Sequence, residues 1–130
     1  MDDRLQKLSG QDWQEFVAAP AAVLILGKSD CARCNEWSAE LEEALRASSF
    51  HPDIRFGKLL LDQPGLISFK RANPWIADLD VLPYNLIYRE GESLKEWAGG
   101  GLERLNNRLN RVFPANEHSA PKDAPPSTSE

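Results

Sequence analysis

Ala22-Val23-Leu24-Ile25-Leu26 places the tightest limit on what this chain can become. Five consecutive apolar residues have the length of a strand, and along a strand successive side chains point to opposite faces. A strand with no polar face needs cover on both sides. The flanking sequence offers that cover. Trp13, Phe16 and Val17 mark the inner side of a short helix over Gln11–Ala18, with Ser9 as its expected cap. Cys34, Trp37, Leu41, Ala44 and Leu45 recur at steps of three and four, while Asn35, Glu36, Glu40, Glu42, Glu43 and Arg46 take the remaining positions, which predicts an amphipathic helix.

The same two periods alternate to the end of the body. Ile54–Leu61 reads as a second central strand, followed by a short helix through Ile67, Phe69 and Lys70 that Asn73-Pro74 should end. Tyr84–Tyr88 and Ser93–Ala98 flank the turn candidate Glu90-Gly91 as a β-hairpin. Gly99-Gly100-Gly101 opens a last helix that carries Leu102, Leu105, Leu109 and Val112 on one stripe. The predicted fold is α/β, a central mixed sheet with helices on both faces.

Residues 1–113 are expected to form this domain, which is large enough for a real apolar core. Residues 114–130 (PANEHSAPKDAPPSTSE) hold four of the nine prolines and no large apolar side chain, so a disordered Pro/Ser-rich tail is expected. Twenty acidic against 15 basic residues give a net charge of −5, which argues against nucleic acid as a partner. The longest apolar stretch, Phe16–Gly27, is broken by Pro20 and is short of a membrane span. Asp12 and Glu15 stand where an export signal would carry basic residues, so a cytoplasmic location is expected.

Asp30-Cys31-Ala32-Arg33-Cys34 holds both cysteines of the chain, between the end of the buried strand and the start of a helix. Unpaired backbone N–H groups and the helix dipole favour a thiolate there. Cys31 sits at the exposed tip, whereas Cys34 begins the inward stripe. That asymmetry predicts two roles, Cys31 as nucleophile on a disulfide and Cys34 as the resolving thiol. Arg33 should favour the Cys31 thiolate and Asp30 should oppose it. Two bland readings stand beside this one. The pair can be a chance spacing on a helix, or it can hold a metal shared between subunits. A zinc site takes about four ligands, and the only histidines are His51, beside Pro52, and His118, in the tail. No metal and no cofactor is expected.

Three elements in order resemble the thioredoxin family over about 110 residues: Cys31-Ala32-Arg33-Cys34 after a buried strand, Lys58-Leu59-Leu60-Leu61-Asp62, and Val81-Leu82-Pro83 leading into a strand and a Gly turn. The resemblance implies a cis Pro83 facing the cysteines, with the Leu82 backbone free to pair with an extended substrate. Asp30, Arg33, Lys58 and Trp75 are the expected supporting residues. Trp75 is a candidate aromatic wall beside Cys31, with a plain core tryptophan as the alternative. Departures accompany the likeness. Asp30 stands where the family has a tryptophan, Ala32-Arg33 replace Gly-Pro, and Ile25 stands where the family has a buried aspartate that serves the resolving cysteine. The expected function is therefore a cytoplasmic thiol–disulfide oxidoreductase of narrow range, a protein-disulfide reductase. It would work as a monomer on protein disulfides, with an electron-donating reductase as partner and no membrane or nucleic acid. The alternative is a non-catalytic interaction module of the same fold with a redox-gated or vestigial pair.

Overall fold

A computed structural model describes residues 4–114. Its elements run β1 (Leu5–Lys7), α1 (Trp13–Val17), β2 (Ala22–Gly27), α2 (Ala32–Leu45), β3 (Arg55–Leu60), α3 (Ile67–Ala72), a 3₁₀ turn (Pro74–Asp78), β4 (Tyr84–Arg89), β5 (Glu92–Ala98) and α4 (Leu102–Val112). The five strands form one sheet in the order β1-β3-β2-β4-β5. β1, β3 and β2 are parallel, and β4 and β5 are antiparallel to their neighbours. Residues 115–130, nearly the whole of the expected tail, and His118 with them lie outside the described residues.

β2 is buried along its whole length and lies at the centre of the sheet, as five unbroken apolar residues require. Alternation then sends its side chains into two cores. Leu24 and Leu26 join Trp13 and Phe16 of α1 and Phe69 of α3 on one face. Val23 and Ile25 join Trp37 and Leu41 of α2 and Leu105 and Leu109 of α4 on the other. Each large apolar side chain fully buried in these layers contributes about 1.5–3 kcal/mol relative to exposure. The expected mixed sheet with helices on both faces is what these cores build.

Two local expectations are corrected, and one strand is added. Ser9 does not cap α1; Asp12 occupies the N-cap position, and its Oδ1 accepts the Ser9 N–H at 2.6 Å, closing a turn before the helix instead. The three glycines before α4 stay outside the helix, which begins at Leu102 with Gly101 at φ 123° as its N-cap. β1 was not anticipated, because three residues carry too little alternation to read. It is held from outside its own sequence, through its register on Phe56–Lys58 and through Arg4, whose guanidinium donates to the carbonyls of Phe50 and His51 at 2.7 Å.

Candidate functional site

β2 ends at Gly27 and releases the exposed segment Lys28-Ser29-Asp30 toward α2. This segment is tied down from the end of β3. Asp62 accepts the Ser29 backbone N–H at 3.2 Å to both carboxylate oxygens and the Ser29 hydroxyl at 2.5 Å. The Ser29 hydroxyl, foremost among the causes, holds the Asp62 carboxyl below the ordinary carboxylate range. Cys31 follows as the N-cap of α2, with extended backbone (φ −104°, ψ 111°). Its Sγ accepts the Cys34 N–H at 3.1 Å, so a sulfur fills the place a hydroxyl or carboxylate takes in most helix caps.

Cys31 is half-buried, whereas Cys34 is 3% exposed, and the two form a disulfide with Cα atoms 5.2 Å apart. Gly27 makes room for the inner cysteine. A Cβ on Gly27 would stand 3.1 Å from both Cβ and Sγ of Cys34, tighter than ordinary contact. Below lies Ile25, 2% exposed in the second core, paired across the sheet with Lys58 on one side and Asn85 on the other.

The chain returns to this region through Val81-Leu82-Pro83, where the Leu82–Pro83 peptide bond is cis. Pro83 is buried, Leu82 half-buried and Val81 47% exposed. The Pro83 carbonyl accepts the Gly99 N–H at 2.8 Å, while the N–H and carbonyl of Leu82 have no backbone partner among the described residues. Asn85, fully buried on β4, joins three pieces of chain. Its Oδ1 accepts the Trp37 Nε1–H at 2.9 Å, and its Nδ2 donates to the Gly99 carbonyl at 2.7 Å and the Trp97 carbonyl at 3.2 Å. The Trp37 indole in turn carries the glycine loop, since a Cβ on Gly100 would come within 3.0 Å of its ring. Between α2, the cis-proline segment and this loop runs an open groove of about 330 Å³. Arg33, Glu36 and Glu40 form one side and Val81, Leu82 and Pro83 the other, with Trp37 and Gly99–Gly101 completing it.

The predicted residues are therefore partly gathered. Cys31 and Cys34 are bonded, and Arg33, Leu82 and Pro83 share the groove. Asp30 is exposed just before Cys31. Lys58 and Trp75 do not line the groove. Lys58 lies opposite Ile25, and Trp75 packs at the edge of the first core with its ring 5.6 Å from that of Tyr84. Sequence reasoning missed the Ser29–Asp62 tie, because two exposed polar residues 33 positions apart give no local signal. It also missed Asn85, although a single amide within the apolar strand Tyr84–Tyr88 is the kind of exception worth pursuing. The His51 Nε2–H donates to Asn106 Oδ1 at 2.7 Å, and among the described residues no three His, Cys, Asp or Glu side chains cluster as a metal set. No helix among them is long and apolar enough to cross a membrane.

No protein-family model and no curated protein matches the sequence. Solved structures do match by shape. Thioredoxin f2 of Chlamydomonas reinhardtii aligns at a TM-score of 0.67 and 18% identity, over 85% of this chain and 97% of its own. Thioredoxin O2 of Arabidopsis thaliana, in its oxidized state, aligns at 0.67 and 18%, over 87% and 97%. The long form of spinach chloroplast thioredoxin F aligns at 0.65 and 17%, over 83% and 85%. The chain has the thioredoxin fold, and its Cys31–Cys34 pair forms the disulfide of a CxxC motif.

Proposed function

We propose that this protein is a thiol–disulfide oxidoreductase that reduces protein disulfides through the Cys31/Cys34 couple. The observation that carries the reading is the unequal placement of a bonded pair, Cys31 at the tip of α2 and Cys34 3% exposed over Gly27. In the dithiol form, the N-terminal N–H groups of α2 favour a thiolate on Cys31. That thiolate attacks one sulfur of a substrate disulfide, the bond between the substrate sulfurs breaks, and the other sulfur leaves as a thiolate that takes up a proton. Cys34, having lost its proton, then attacks Cys31 Sγ. The Cys31–Cys34 disulfide forms and the second substrate thiol departs. Two electrons and two protons pass to the substrate, and a dithiol-supplying reductase restores the couple.

Leu82 supplies a place for the substrate chain, because its free N–H and carbonyl can pair with an extended segment in the manner of strand addition. The proposal places the protein in the cytoplasm, where dithiol donors maintain such couples, working as a monomer, with residues 1–113 as the working domain.

Trapping tests the reading. Cys34→Ser, reduced and then offered a protein disulfide, should accumulate a mixed disulfide on Cys31, while Cys31→Ser should accumulate none. Absence of both the adduct and wild-type turnover would overturn the enzyme reading in favour of an interaction module of the same fold.

A further inference from the structure

We infer that the groove selects an extended, cysteine-bearing segment with a lysine or arginine about three residues from its cysteine. The inference rests on the oxidoreductase reading and names its substrate class. The groove has two chemically different sides. On one, Val81 is 47% exposed, one of three large apolar residues left so open among the described residues. With half-buried Leu82 it offers an apolar seat beside the unpaired Leu82 backbone. On the other, Arg33, Glu36 and Glu40 occupy successive turns of α2, all exposed, and none has an ion pair or side-chain hydrogen bond among the described residues.

The charges are ordered along the helix. Arg33 lies between the two cysteines and repels a cation placed next to the reacting sulfur. Glu36 and Glu40 attract one further along. At 1.5 Å per residue the two carboxylates start about 6 Å apart on the helix, and Glu40 about 10.5 Å beyond Arg33. An extended peptide advances about 3.3 Å per residue. From the reacting Cys31 the two glutamates start about 7.5 and 13.5 Å along the helix, so three extended residues, about 10 Å, bring a side chain between them. An apolar residue in between meets Val81 and Leu82. A segment with an acid at the third position would instead bring its charge against two unpaired carboxylates.

Three disulfide-linked peptide dimers test this, identical except for Lys, Gln or Glu three places before and after the cysteine. Their rates of reduction are followed with the full-length dithiol protein. Exposed ion pairs are individually weak, so the Lys peptide should react about fivefold faster than the Glu peptide at low salt, with Gln between them. About 0.5 M salt should bring the three rates together, since these charges are solvated. In Glu36→Gln/Glu40→Gln the Lys-to-Glu ratio should fall close to one, and in Glu36→Lys/Glu40→Lys it should invert. Equal wild-type rates for all three peptides, or a ratio unchanged in both double variants, would overturn the inference while leaving the oxidoreductase reading intact. Reduction of none of the peptides, nor of any protein disulfide, overturns both.

Discussion

Asn85 is the residue whose replacement tests most directly how the groove is held together. Asn85→Ala removes the acceptor of the Trp37 indole N–H and the donor to the Gly99 and Trp97 carbonyls. Leaving one buried donor without a partner costs about 1–3 kcal/mol. The two carbonyls lose less, because each keeps a second lone pair, and the truncation adds a small cavity. A total of about 2–4 kcal/mol is a large share of the roughly 5–15 kcal/mol that holds a domain folded. Asn85→Asp separates hydrogen bonding from size. The carboxyl keeps Trp37 as a donor but faces two carbonyl oxygens in a site that is 0% exposed, so its folded pKa rises above the unfolded value of about 3.9. A group with a raised folded pKa makes stability fall as pH rises through the interval between the two values. Asn85→Asp should therefore lose clearly more stability at pH 7 than near pH 4. Urea unfolding of the parent and both variants at the two pH values measures this. If Asn85→Asp loses the same amount at both, or Asn85→Ala loses under 1 kcal/mol, the amide is not the tie described above.

Four further outcomes are expected. Cys31 should alkylate much faster than Cys34 in the reduced protein, because Cys34 is buried and Cys31 caps the helix; equal rates on mass-spectrometric mapping would remove the division of roles. Ile25→Asp should lower stability by several kcal/mol, since it puts a carboxyl into the second core, and should alter the pH dependence of disulfide reduction. An unaltered pH profile in a folded variant means that the Cys34 proton leaves by another path. Asp62, with its folded pKa depressed by Ser29, stabilises at neutral pH and loses that contribution as pH falls below 3.8 toward the lower folded value. Asp62→Asn should therefore flatten the acid side of the stability profile and loosen the Ser29 segment, seen as faster amide exchange at Ser29. Gly27→Ala should cost about 1–3 kcal/mol by pressing on Cys34, read as a lower melting temperature.

The periods of the apolar residues were enough to place β2 inside the sheet with helices on both faces, because burial on both faces leaves few other arrangements for such a run; that α2 and α4 share one face and α1 and α3 the other came from the fold. The cysteine pair at a strand-to-helix junction was legible for the same reason: the strand ends where the apolar run ends, and the helix stripe starts at Cys34. Element edges and β1 were less so, since β1 is only three residues and depends on Phe56–Lys58 and Arg4 rather than on its own pattern. What the site needs in order to hold its shape came only from tertiary contacts. Ser29 meets Asp62, Trp37 meets Asn85, Gly99 meets Pro83, and Gly27 yields space to Cys34. Each of these joins residues distant in the chain through a hydrogen bond or a missing side chain, neither of which leaves a period in the sequence. Periodicity reports which side of an element is apolar, so it determined the layers. Which polar atoms meet between those layers depends on register and loop course, and that was decided by the folded chain.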